Sequence, residues 1–256
     1  MPLMYKFFIK SLAILLMCTS SVFSQDEEQN TSQDTIVYKQ RYGLRFGTDI
    51  SKLVRSFIDD DYQGFEINGD YRLTQRIYLA GEFGNEERTL TNDALSNTTK
   101  GSYFKAGIDI NLYRNWLDME NMIFAGFRVG ASTFSQTLNS GSIIDRNNEF
   151  FGNLQPITAP QEFDGLSAIW GELIFGIKAE VLTNLYMGLN LQLKVLVSET
   201  SLDNFENLYV PGFNRTFDSG RIGAGFGYNI SYLIPIFKKT KPIKKDDTLE
   251  DEQEDN

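Results

Sequence analysis

The sequence predicts an all-β fold, an eight-stranded antiparallel up-and-down transmembrane β-barrel, on three observations. Segments of apolar/polar alternation recur eight times, each about the 9 to 11 residues that a tilted membrane strand needs. The connections between them alternate long and short. The chain opens with an export signal and then has no second apolar run near the ~18 residues that a membrane helix requires.

The first strand is read at 41–50, with Tyr42, Leu44, Phe46 and Thr48 opposite Gly43, Arg45, Gly47 and Asp49. The second, 64–73, sets Phe65, Ile67, Tyr71 and Leu73 against Glu66, Asn68, Asp70 and Arg72. A turn at Thr74 and Gln75 leads into 76–84, where Ile77, Leu79 and Phe83 face away from Tyr78, Ala80 and Glu82. The fourth strand, 101–113, opposes Phe104, Ile108 and Ile110 to Lys105, Gly107 and Asp109. The fifth, 122–134, opposes Ile123, Phe127 and Val129 to Gly126, Arg128 and Gly130. The sixth, 166–181, sets Ile169, Leu173, Phe175 and Ile177 against Glu172, Gly176, Lys178 and Glu180. After Thr183 and Asn184 the seventh, 185–197, sets Leu189, Leu191 and Leu193 against Gly188, Asn190, Gln192 and Lys194. The last runs from Arg221 to Ile234, apolar at every even position and small or polar at the odd ones, with a lower end at Phe237.

Long connections are expected at 51–63, 85–100, 135–165 and 198–220, and short ones elsewhere. Outer-membrane barrels have this asymmetry, with long loops outside and short turns in the periplasm, so both termini are expected to be periplasmic. Leu53, Val54, Phe57 and Ile58 in the first loop suggest one amphipathic helical turn.

Four parts follow: a signal peptide at 1–24, a flexible acidic segment at 25–40, the barrel at 41–237 and a disordered charged tail at 238–256. Lys6 and Lys10, the apolar stretch Ser11 to Met17 and the small-residue pattern Val22-Phe23-Ser24 carry the signal. Cys18 invites a lipoprotein reading, but Leu16 and Met17 are bulky for that cleavage; the mature chain then has no cysteine and no thiol chemistry. Both flanks are too poor in apolar residues to fold.

Two barrels fit such strands: one soluble and lipocalin-like with its apolar face inward, the other in a membrane with that face toward lipid. Glycine on the polar face favours the second, because the interior of an eight-stranded barrel is crowded and a solvated surface is not. Charge agrees. Arg45, Arg72, Lys105, Arg128, Lys178, Lys194 and Arg221 stand against Asp49, Glu66, Asp70, Glu82, Asp109, Glu172 and Glu180 on that face, equal in number, whereas the whole chain carries a net charge of −10. Charges confined in a lumen must pair, since an unpaired one is costly. These residues are expected to form a lumen charge network that closes the bore.

The net charge makes nucleic acid an unsuitable partner. The chain contains no histidine, which removes the usual general base and the commonest transition-metal ligand. The paired carboxylates are read as ion pairs, and Gly223-Ala224-Gly225-Phe226-Gly227 lies in a strand and fails the dinucleotide spacing. No catalytic site, cofactor or metal is expected. Asp59-Asp60-Asp61 reads as a solvated loop run in preference to a cation site. Phe150, Phe151 and Phe163, with Pro156 and Pro160, either form a recognition surface or fold over the mouth. Asn30, Asn97 and Asn214 match the N-glycosylation pattern, and Asp34-Thr35-Ile36 and Asp247-Thr248-Leu249 an O-glycosylation pattern of exported proteins.

Gly64 to Tyr71, Thr133 to Leu138 and Asn207 to Phe217 resemble segments of an uncharacterised family of small Bacteroidota outer-membrane β-barrel proteins, over about 41–237. The resemblance implies fold and a Gram-negative outer-membrane location, and no site residues. The expectation is a non-enzymatic outer-membrane barrel with a structural or surface-interaction role. Its expected partners are outer-membrane lipid and the barrel-assembly machinery, through the last strand. The alternatives are small-solute transport or ligand binding at the mouth, and a soluble exported lipocalin-like binder.

Overall fold

A computed structural model describes residues 38–74, 76–92, 95–113, 120–144, 154–156, 160–202, 206–215 and 220–241. The expected signal peptide, most of the expected acidic segment and most of the expected tail lie outside these residues. Eight long antiparallel strands form the wall: β1 Tyr38–Asp49, β2 Tyr62–Arg72, β3 Ile77–Thr91, β4 Leu95–Asn111, β5 Met122–Ile144, β7 Gln161–Leu182, β8 Leu185–Glu199 and β9 Ile222–Lys241. A short β6, Leu154–Pro156, pairs with the end of β5. Each wall strand pairs with its neighbours along the chain, and β1 pairs with β9, which closes the ring.

The registers set the tilt. Followed once around the wall from Tyr232, through Phe46, Gly69, Gly81, Ala106, Val129, Gly171 and Val195, the pairing returns to β9 at Ile222, ten residues from its start. With a rise of about 3.3 Å per residue and strands about 4.8 Å apart, this stagger tilts the strands by about 40°.

Period two then sorts side chains between two environments. Phe104 is 55% exposed and its neighbour Lys105 is 1% exposed. The same contrast runs round the wall, with Phe46, Phe127, Leu173, Leu191 and Phe226 outside and Arg45, Arg128, Glu172 and Lys194 inside. The apolar face points outward, so the inward-facing soluble alternative does not describe this barrel.

The wall is longer than hydropathy indicates. Alternation places it from Arg41 to Phe237, but the ladder runs from Tyr38↔Lys241, because backbone pairing needs no apolar side chain. Two expected loops are largely strand: β3 reaches Thr91 before β4 starts at Leu95, and β5 reaches Ile144 before β7 starts at Gln161. These extensions carry polar pairs such as Thr89–Thr98 and Thr91–Ser96, which give no apolar alternation to read. At the opposite end, the β7–β8 turn is tight, and Asn184 there takes a left-handed φ of 66° that asparagine tolerates.

Where a helical turn is expected in the first loop, the structure has a full helix, α1 Ile50–Ile58. Asp49 caps it by accepting bonds from Ser51 N at 2.8 Å and Ser51 Oγ at 2.6 Å. β1 ends at this cap, whereas β2 and β9 continue past it, so α1 stands in the wall where a strand would otherwise run. Side chains and a loop carbonyl then satisfy backbone that has lost a strand partner. Ser56 Oγ accepts from Gly64 N at 2.8 Å and donates to Gly64 O at 3.1 Å, and Ala224 N donates to Asn214 O at 3.2 Å.

Candidate functional site

The inward face of the strands carries one connected ion-pair network. Arg45 Nε meets Asp70 at 2.7 Å, and Asp70 meets Lys178 at 2.7 Å. Lys178 reaches Asp109 at 3.9 Å, and Asp109 holds Arg128 Nη2 at 2.7 Å. Arg128 continues to Glu82 at 3.6 Å, and Glu82 to Lys105. Lys105 branches to Glu66 at 3.2 Å and Glu172 at 4.0 Å, and Glu172 faces Lys194 at 3.7 Å. Lys52 of α1 joins Glu66, at 3.6 Å, to Glu86. Six cations thus face six carboxylates, which leaves the network neutral. Tyr78 and Tyr186 lie 4.9 and 5.1 Å from the Arg45 guanidinium and cover it.

Of the expected network residues, Arg45, Glu66, Asp70, Glu82, Lys105, Asp109, Arg128, Glu172, Lys178 and Lys194 are brought together in this way. Arg72 and Glu180 belong to a separate cluster at the lower end. There Glu180 binds Arg41 Nη2 at 2.5 Å, and Arg72 meets Glu120 at 3.3 Å. Two expected members fall elsewhere. Asp49 is buried but acts as the cap of α1, because the chain leaves the strand at that residue. Arg221 precedes β9 and is exposed, beyond the point where the lumen-facing alternation starts. Asp59 of the acidic triplet is engaged by Arg55 at 3.2 Å and Arg88 at 3.6 Å.

Above the network the mouth is apolar, which strand alternation alone does not anticipate. Tyr103, Phe134, Leu166, Ala168, Trp170 and Leu196 point inward from the wall, and Val210 and Phe213 descend onto them from the connection before β9. Trp170 meets Phe213 edge-on at 5.9 Å. A signal for this exists in the sequence: Leu166, Ala168 and Trp170 share the parity of Glu172 on β7, so they are apolar residues at lumen positions. Phe163 also packs against this cluster, whereas Phe150 and Phe151 lie outside the described residues. Asn97 is fully buried with its amide on Thr99, an unsuitable acceptor for a glycan.

Two glycines make room for the Tyr103 ring. A Cβ at Gly84 or at Gly212 would run into it, and Gly212 also needs its φ of +80°. Tyr103 Oη then reaches Glu66 at 2.5 Å, which couples the apolar mouth to the charged layer beneath.

Glu86 is the hub that ties the mouth together. It accepts from Lys52, from Tyr62 Oη at 3.1 Å, from Tyr209 Oη at 2.6 Å and from Gly212 N at 2.8 Å. Its outward neighbours on β3, Asn85 and Glu87, are polar, so it lies above the outer apolar belt. Burial pushes its carboxyl up, but the Lys52 charge and the bonds from Lys52, Tyr209 and Gly212 N outweigh that and bring it down to about 2. Lys194 holds the same segment from below by donating to Gly212 O at 2.7 Å.

Within the network the free space is small. The cavity bounded by Asn68, Asp70, Asp109, Arg128, Lys178 and Asn229 measures about 20 Å³, room for about one water. The described residues contain no cluster of three or more acidic, cysteine or histidine side chains placed to hold a metal ion.

Among solved structures the chain is similar to Ail, the attachment invasion locus protein of Yersinia pestis, with a TM-score of 0.36 and 10% identity, over 75% of this chain and 97% of that one. No curated protein matches it in sequence. The model of one family, described as a domain of unknown function, DUF6048, matches residues 4–239, and the chain belongs to that family.

Proposed function

We propose that this protein is a non-enzymatic barrel of the Gram-negative outer membrane, exported by its N-terminal signal, with both termini in the periplasm and a lumen closed by its own side chains. Its role is structural or one of interaction at the cell surface. The observation that carries the reading is the inversion of inside and outside: a neutral ion-pair network in the lumen and a continuous apolar belt on the exterior. On β8 the outward residues Leu185 to Val195 are all apolar, and at the tilt of the wall they span about 25 Å of height, the apolar band of an outer-membrane barrel. The long β3–β4 and β5–β7 extensions then stand on the cell surface, and lipid and the assembly machinery are the partners met on the way. The ion-pair network reads as packing, not as catalysis, because its carboxylates are taken up by cations and no histidine stands beside them.

The test is gel mobility of the membrane-fraction protein with and without boiling in detergent, followed by conductance in planar bilayers. A heat-dependent shift without unitary conductance is the expected result. A steady conductance of uniform step size would replace the closed lumen with a solute pore. Release from membranes by carbonate, with no shift on heating, would overturn the membrane reading.

A further inference from the structure

The wall has a window near its upper edge. β1 last pairs β2 at Thr48↔Ile67 and β9 at Asp49↔Asn229, while β2 starts higher, at Tyr62, and β9 at Ile222. α1 occupies the space between them, and its contacts fix which side faces the lumen. Lys52 reaches Glu86, the Arg55 guanidinium lies 4.2 Å from the Tyr62 ring, and Ser56 is bonded to Gly64. At 100° per residue, Val54 and Phe57 lie on the opposite side of the helix, with Ile58 beside them.

That side is bare. Val54 is 49%, Phe57 87% and Ile58 78% exposed, while the polar side is turned inward, the reverse of an amphipathic helix on a water-soluble protein. The height is informative too. Gly64, to which Ser56 is bonded, sits between Phe65, the last apolar residue on the outer face of β2, and the exposed polar Gln63. On the other side of the window the outer face of β9 carries Phe226 and Ile222, both exposed.

We propose that the Val54, Phe57 and Ile58 face of α1 is a lipid-contact surface, seated among outer-leaflet acyl chains at the upper margin of the belt. The occupant is the acyl chain, and not a protein, because the face continues the belt on both sides at the same height and turns its cations away from it. Helices that lie in a membrane interface bury an apolar face in this way. The assignment rests on the outer-membrane reading and deepens it, because the helix then seals the wall where no strand runs.

The experiment places a bimane label at Phe57→Cys, with Ile58→Cys as a second site and Leu191→Cys in the belt as reference, each in full-length protein carrying Cys18→Ser. Each variant is first required to show the heat-dependent gel shift. The proteins are reconstituted in phosphatidylcholine vesicles with or without brominated acyl chains, and iodide is the aqueous quencher. Loss of fluorescence to brominated chains at 57 or 58 as well as 191, with protection from iodide, is expected. Quenching by lipid at 191 together with iodide access at 57 and 58 overturns the inference and leaves the membrane reading standing. So does shielding of 57 and 58 from both quenchers, which would mean that protein covers the face. No lipid quenching at any of the three overturns both.

Discussion

The middle of the lumen and its mouth are built by different means. In the middle, every charge but one is supplied by the wall strands, spaced along a strand or facing across the bore, as with Glu66, Asp70 and Lys105. At the mouth, only Tyr62 among the partners named for Glu86 comes from a wall strand; the others come from α1 and from the segment around Tyr209 and Gly212, far away in sequence. The first region follows from strand alternation alone. The second exists only because separate parts of the chain converge, so the two should respond differently to substitution.

The largest effect is expected from Lys105→Met. It leaves Glu66, Glu82 and Glu172 without their shared cation, and breaking such a buried arrangement costs about 3–5 kcal/mol. Urea unfolding in detergent micelles measures this as a loss of whole-barrel stability. A loss below about 1 kcal/mol would mean that the network reorganises and that the middle is no more constrained than the mouth.

Glu86→Gln comes next and should act locally. A carboxyl held at about 2 against an ordinary 4.5 contributes on the order of 3 kcal/mol. The folded value is the lower one, so the contribution is complete above about pH 4.5 and is lost as pH falls through about 2. Limited proteolysis should therefore leave the 206–215 segment intact in the wild type from neutral pH to about pH 4.5 and expose it progressively below that. The Gln variant should be cleaved there already at neutral pH while the barrel keeps its gel shift. Global unfolding of that variant would erase the contrast between the regions.

A smaller effect separates cap from ion pair at Asp49. Asp49→Ala should destabilise by about 1 kcal/mol, and Asp49→Asn by much less, because asparagine caps a helix nearly as well. Equal losses in thermal melts would return Asp49 to the charge network. Smallest of all, Arg221→Ala should stay within about 0.5 kcal/mol, as for an exposed residue without a special role, in the same melts.

How much of this was legible depends on how local the cause is. The strand positions, their inward and outward faces and ten members of the network follow from residues two apart, and strand pitch is a local property. The Tyr38 and Lys241 ends of the β1–β9 ladder were not legible, since Lys238 to Lys241 carry no apolar alternation. The caps and mouth required knowledge of what meets what. Asp49 looks like Asp109 in its parity and differs only because a helix starts after it. Lys52 and Glu86 fall within the expected connections 51–63 and 85–100, and Tyr209 to Phe213 within 198–220; only the fold brings them beside Tyr103 and Trp170. The parity of Leu166, Ala168 and Trp170 with Glu172, and of Tyr103, Phe134 and Leu196 with Lys105, Arg128 and Lys194, is the local trace of the apolar mouth.

The seam between β1 and β9 imposes an order in time. It joins Tyr38 to Lys241, so none of its rungs can form before nearly the whole chain has arrived, and bringing such distant ends together is the entropically steepest closure in the molecule. α1 inherits that delay. Its seat lies against β9 as well as β2, so while the seam is open the helix has only half its berth and its apolar side is free for whatever the incoming polypeptide meets. Completion of the cylinder and settlement of the helix are then one event, and a stalled intermediate would be recognisable by an unseated α1.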